Sequence, residues 1–356
     1  MGQDSTPARP RPATPDPAMP PHPEPEILFD GEDMQLRHYR GTSDFRLLTF
    51  DIMHARASRR GAFGVPLSAR LGIDHLAVVP KYPCWYPRRE AETVALRIAA
   101  LKDRPTIAYG ASMGGYGALK WGGLAGADCA IACSPRATID PATLGRHDRR
   151  YAAHFRADLH GGMQVRAADL PPHAVALHDP REGRDRFQVG LMAGIATLHP
   201  VAAPFTAHAT AQCVAGSANA VAIFRAALAH DTAAIRRRVA QRRRGLAARR
   251  LFLALACGAS GRQDAALAIL DTIRNAMPRD YLMALAQILT AQGRPAEAAR
   301  FYRAVLEGRP RDPGASRHLA RLAASAAAEG GADDGAARLL GRLVGREGIE
   351  PPANAV

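Results

Sequence analysis

The residues best equipped for chemistry in this 356-residue chain lie in one short run, Gly110-Ala111-Ser112-Met113-Gly114. A serine with glycine two positions before and two positions after it can stand on a turn too sharp for side chains at those sites, with its hydroxyl lifted clear of the backbone. That hydroxyl is a weak nucleophile until an imidazole takes its proton. The imidazole in turn needs a carboxylate to fix its tautomer and stabilise its charged form. A histidine and an acid must therefore reach Ser112 from farther along the chain. Two backbone N–H groups must also face the oxygen that gains charge during attack, each worth about 3 to 4 kcal/mol, and Met113 is placed to supply one. Cys84, Cys129, Cys133, Cys213 and Cys257 show neither CxxC spacing nor nearby paired histidines, which predicts reduced thiols and no metal site. No P-loop and no dinucleotide glycine fingerprint occurs, and no cofactor is expected.

A serine on such a turn has to follow a strand and open a helix. Thr106-Ile107-Ala108-Tyr109 reads as that strand and Gly115 to Lys120 as that helix. Similar apolar runs of strand length stand at Leu47 to Phe50, His75 to Val79, Cys129 to Cys133, Ala174 to His178 and Leu198 to Ala202. Most lack strict alternation, as expected of strands covered on both faces. Helical segments such as Glu90 to Leu101 separate several of them. Six strands alternating with helices predict an α/β fold with a mostly parallel, doubly wound sheet over residues 27–230.

The string from Gly110 to Leu119, Gly-Ala-Ser-Met-Gly-Gly-Tyr-Gly-Ala-Leu, closely resembles the nucleophile elbow of serine esterases in the α/β-hydrolase superfamily. By strand order the resemblance covers about residues 27–225. It implies a base in the loop after the last strand, where His208 stands and His199 comes too early. It implies an acid after the preceding strand, with Asp185 preferred, Asp179 the alternative and Glu182 a lesser third. For the second oxyanion donor it points to the loop after Leu47 to Phe50, hence Ile52 or Asp51. This chain has Phe50-Asp51-Ile52-Met53-His54 where many lipases carry His-Gly-Gly. Trp85 and Tyr86 follow the strand at 75–79 and are expected either to line the substrate pocket or to pack a loop. The segment 140–172 falls where the superfamily inserts its cap, and its shortness predicts a minimal one.

Outside this region the chain changes character. Residues 1–26 hold nine prolines and few large apolar side chains, which predicts a disordered tail. Eight arginines between Arg236 and Arg250 suggest an Arg-rich helical connector over 231–250. Beyond it, Gly261-Arg262 through Pro278-Arg279-Asp280 realigns on Gly293-Arg294 through Pro310-Arg311-Asp312 with a shift of 32, and Leu253-Ala254 on Leu285-Ala286. Each unit reads as helix, glycine turn, apolar helix and proline stop. The pattern resembles the tetratricopeptide repeat and predicts an all-α repeat region over 251–345 with a flexible tail at 346–356.

The net charge of +14 comes mainly from arginine spread along the chain, which argues against a nucleic-acid partner. No apolar run is long enough for a membrane span, and the N-terminus has no export-signal pattern, so a cytoplasmic protein is expected. Together these features predict a serine hydrolase that takes a small ester or acylated substrate through an acyl-enzyme on Ser112. Acyl transfer through the same residues is the first alternative. A non-catalytic scaffold that binds a protein partner through its repeats is the second.

Overall fold

A computed structural model of the chain describes residues 24–53, 61–260, 262–273, 279–291 and 293–328. They divide into two compact units, the first ending at Arg243 and the second beginning at Arg244. That division falls inside the stretch 231–250 expected to connect two domains.

The first unit is built on eight strands: β1 (Glu26–Asp30), β2 (Met34–Tyr39), β3 (Arg46–Phe50), β4 (Asp74–Pro80), β5 (Thr106–Ala111), β6 (Cys129–Cys133), β7 (His173–His178) and β8 (Leu198–Ala202). Their order across the sheet is β1-β2-β4-β3-β5-β6-β7-β8. The six runs expected from sequence are β3 to β8, all mutually parallel. The two additional strands form an antiparallel edge, with β2 paired to both β1 and β4. Every residue of β3, β4 and β6 is buried, as the continuous apolar runs require.

Helices cover both faces of this sheet. On one side α2 (Arg88–Ala100) and α3 (Met113–Trp121) bury Val94, Ile98, Met113 and Leu119 in a cluster with Leu48, Phe50, Leu76, Val78 and Ala108. The residues of alternate parity point the other way. Tyr109 meets Phe224 of α7 (Ser217–Leu228) with ring centroids 5.5 Å apart, and Ala77 and Val79 pack on Val65 of α1 (Val65–Leu71). Short helices α4 (Pro141–Leu144) and α5 (Ala157–His160) lie between β6 and β7, and α6 (Gly183–Gly190) between β7 and β8. The arginine-rich helix α8 (Thr232–Arg244) buries Ile235 and Val239, and Arg243 donates to the Pro204 carbonyl at 2.9 Å.

The second unit is all helical: α9 (Ala247–Ala259), α10 (Gln263–Asp271), α11 (Arg279–Ala291), α12 (Pro295–Gly308) and α13 (Pro313–Ala328). Helix α9 packs on α10, α11 on α12, and α12 on α13. The repeat residues Ala254 and Ala286 occupy matching buried positions, on α9 and α11, in a core shared with Leu270, Phe301 and Tyr302. Asp312 caps α13 by accepting the Gly314 and Ala315 amides, each at 3.0 Å. Residues 1–23, most of the proline-rich tail, and 329–356, including the tail expected at 346–356, lie outside the described residues. Among the described residues no helix is long and apolar enough to cross a membrane.

Candidate active site

Because β3 and β5 to β8 run parallel, their carboxyl ends share one edge of the sheet. Ser112 stands there alone between the end of β5 and the start of α3, at φ 54° and ψ −112°. A non-glycine residue in such a conformation costs about 1 to 3 kcal/mol and persists only where its surroundings enforce it. Here they do. The Ser112 N–H donates to the Cys133 carbonyl at 2.9 Å, and its carbonyl accepts the Tyr116 N–H at 3.0 Å to begin α3. A Cβ at Gly110 would overlap the Gly114 carbonyl, and one at Gly114 would overlap the Phe50 carbonyl at the end of β3. Both glycines are thus demanded by close backbone approach.

The loop after β8 brings in His208. Its Nδ1 lies 2.7 Å from Oδ2 of Asp185 on α6, whose side chain is fully buried while that of His208 is 38 % exposed. Burial pushes the Asp185 carboxyl up. The His208 hydrogen bond and the charges of Arg136, His208 and Arg150 outweigh it and hold the group well below the ordinary carboxylate range. Asp179 does something else: its carboxylate accepts the Thr206 and Ala207 amides at 2.9 and 2.7 Å and the Arg181 amide at 2.9 Å. It therefore pins the backbone just before His208, where Phe205 and Ala207 both adopt positive φ. On the other side of His208, the Thr210 and Ser134 hydroxyls pair at 2.9 Å. Ser134 directly follows Cys133, the residue that anchors Ser112, so the His208 loop is tied to the strand end beside the serine.

The Met113 N–H lies in the first turn of α3 and has no acceptor within the helix. The Ile52 N–H is engaged, donating to Oδ1 of Asp51 at 2.7 Å, while Oδ2 accepts the Phe63 N–H at 3.0 Å. Burial pushes the Asp51 carboxyl up from its ordinary value. Trp85 and Tyr86 are 1 % and 0 % exposed, which corrects the expectation that they line a substrate pocket. Both have positive φ, which turns the segment back onto the domain. Trp85 packs on Tyr116 and Tyr151, and Tyr86 on Phe50 with its hydroxyl donating to the Asp51 carbonyl.

A sheet of this strand order with an antiparallel edge, and a serine on a strained turn between a central strand and the next helix, define the architecture. The first unit has the α/β-hydrolase fold. Solved structures similar to the chain include the capsule O-acetyltransferase of Neisseria meningitidis serogroup A, at 14 % identity over 50 % of this chain and 88 % of that one, TM-score 0.38. Mouse alpha/beta hydrolase domain-containing protein 10 is 11 % identical over 50 % and 88 %, TM-score 0.34. An α/β serine hydrolase without lid from Xanthomonas campestris is 17 % identical over 62 % and 95 %, TM-score 0.32. Residues 279–322, spanning α11, α12 and part of α13, match the tetratricopeptide repeat model. No curated protein matches the chain in sequence.

Two arginines in the hydrolase-fold unit escaped sequence reasoning. Arg136 donates to Asp185 Oδ1 at 2.9 Å, and Arg150 approaches the same oxygen at 3.1 Å. Arg136 follows β6 by three residues, so its place at the carboxyl edge was legible. Arg150 lies in the connection to β7 and carries no comparable signal. Among the described residues no group of histidines, cysteines and carboxylates could hold a metal ion. Burial pushes the Cys84 and Cys129 thiols up to about 12, away from reactive thiolate.

Proposed function

We propose that the hydrolase-fold unit is a serine hydrolase that cleaves carboxylic esters through an acyl-enzyme on Ser112, with His208 as base and Asp185 as its acid. The carrying observation is the 2.7 Å pair of His208 and Asp185, in a loop tied to the strand end that also anchors Ser112. In this reading the Ser112 Oγ attacks the ester carbonyl carbon while its proton passes to Nε2 of His208. The Met113 N–H stabilises the resulting oxyanion, and the Ile52 N–H joins it once Asp51 releases that amide. Collapse of the tetrahedral species breaks the C–O bond to the leaving alcohol, which takes the proton from His208. Water then repeats the sequence, giving up its proton to His208, and the acid product leaves Ser112 restored. An alcohol in place of that water makes the same intermediate an acyl donor. Asp179 serves as loop anchor in this scheme and not as the triad acid. The tetratricopeptide-like unit offers the kind of helical surface that takes a protein segment.

A fluorophosphonate probe tests the reading. Wild-type protein should be labelled, and Ser112→Ala and His208→Ala should not. A folded wild type that resists labelling, and that leaves p-nitrophenyl acetate uncleaved, would overturn it.

A further inference from the structure

Arg136 has no part in the reaction as written, yet it is held directly against the proposed base and its acid. Its side chain is fully buried and its Nη1 donates to Asp185 Oδ1. Its guanidinium carbon lies 5.3 Å from the centre of the Tyr151 ring. Its Nη2 is 3.2 Å from Nδ1 and 3.3 Å from Nε2 of His208. The two ring nitrogens flank Cε1, so a group equally far from both at that range, if it lay in the ring plane, would overlap that carbon. Nη2 must therefore sit over the face of the imidazole. Its buried Nε has no hydrogen-bond partner, a cost accepted while the two ends of the fork are committed to Asp185 and His208.

The charges around the ring sharpen the point. From α6 it faces Asp185. From the end of β6 it faces Arg136. Arg150 reaches Asp185 from the connection to β7 and is itself paired with Asp148 at 2.8 Å. Along its own loop Asp179 is taken up by backbone amides, and Arg181 lies over the Phe205 ring at 4.7 Å. Burial pushes the neighbouring His178 imidazole down, so that ring adds no charge near neutrality. Two carboxylates, Asp185 and Asp148, are thus balanced by two guanidinium groups. A lone triad carboxylate would leave one uncompensated negative charge on the imidazole.

We propose that Arg136 is a positioning residue for Ser112 chemistry: it braces the face of the His208 ring while sharing Asp185 with it, and its charge opposes the imidazolium. This rests on the proposed hydrolase reading. The arrangement holds the base in one plane at the expense of part of the electrostatic support that Asp185 gives it.

The test is the pH dependence of p-nitrophenyl acetate hydrolysis by the full chain. Arg136→Met removes charge and brace together. It should lower the plateau of kcat by about tenfold or more and move the acid limb of kcat/KM upward by about half a pH unit or more. Arg136→Lys keeps the charge without the planar fork, so it should lower the plateau and leave the limb in place. A residue that only fills space would not separate the two effects. An unmoved limb in a folded Arg136→Met protein, or a wild-type plateau in Arg136→Lys, would overturn the proposal. Should Arg136→Met fail to fold by tryptophan fluorescence, the plateau of Arg136→Lys decides alone. Fluorophosphonate labelling of wild type at Ser112 separates the two claims: its absence sinks the hydrolase reading, whereas labelling with unaffected Arg136 variants sinks only the role of Arg136.

Discussion

At the scale of single residues, the elbow leaves no room for adjustment. Gly114 brings α3 against the last carbonyl of β3, and an added methyl group would collide with backbone at a position where neither element can yield. Gly114→Ala should cost about 3 kcal/mol or more, read by urea unfolding followed through Trp121 on α3. A loss below about 1 kcal/mol would mean the two elements can part. The two aspartates should separate by function. Asp185→Asn keeps the shape of the group but offers His208 Nδ1 a poorer partner, and should lower kcat on the order of 10³ to 10⁴. Asp179→Ala frees two amides of the His208 loop and should show a smaller kcat loss together with a lowered melting temperature. Equal kcat losses in the two variants would count against different roles. Ser112 was legible from its flanking glycines, and Asp185 and His208 only through the resemblance, which implies an acid and a base after the last two strands and left Asp179 open beside Asp185. Trp85 and Tyr86 were not, since an aromatic run after a strand looks the same whether it lines a pocket or packs beneath one. Their burial decides it, and the left-handed turns at both residues show how the segment folds back.

At the scale of elements, the parallel strands announce themselves because burial on both faces demands continuous apolar runs. The β1–β2 edge does not: β1 is mostly exposed or half-buried and β2 carries Gln35, Arg37 and His38 among its apolar residues. Strand β4 contains a group the apolar pattern conceals. His75 is fully buried, with its Nε2 at 2.7 Å from the Thr49 hydroxyl and its Nδ1 at 2.9 Å from the Ser68 hydroxyl. Burial pushes its pKa down to about 3. As pH falls through about 6.5 the unfolded chain takes up a proton at this site, while the folded chain does so only near 3. The contribution of the neutral ring is therefore complete above the unfolded value and is lost progressively as pH falls below it. Between pH 7 and 5 this should remove about 2 kcal/mol of stability. His75→Gln, though weaker at neutral pH, should lose about that much less over the same interval. Urea unfolding at the two pH values, followed by tryptophan fluorescence, compares the slopes. Parallel slopes would show that His75 titrates alike in both states.

At the scale of the molecule, two cores close independently. The sheet unit buries its cluster around Phe50, Trp85 and Leu119, and the repeat unit buries Leu270, Leu285 and Tyr302 with its own neighbours. The repeat was readable from a 32-residue shift because each helical pair must present the same apolar face to the next. The end of the first unit was harder to read. The arginines of α8 look like solvated linker until Ile235 and Val239, spaced four apart, are seen to bury one face of that helix. A chain ended after Gly245 retains α8 and the whole sheet, and it loses no residue of the core that surrounds Ser112. Both tryptophans, Trp85 and Trp121, lie in that first unit, so their fluorescence follows its unfolding alone. The shortened chain should therefore unfold in urea at the midpoint of the full chain and retain Ser112-dependent labelling. A midpoint lowered by about 1 M or more would mean that the repeats stabilise the sheet. Retained stability with lost labelling would assign them a direct part in the chemistry at Ser112.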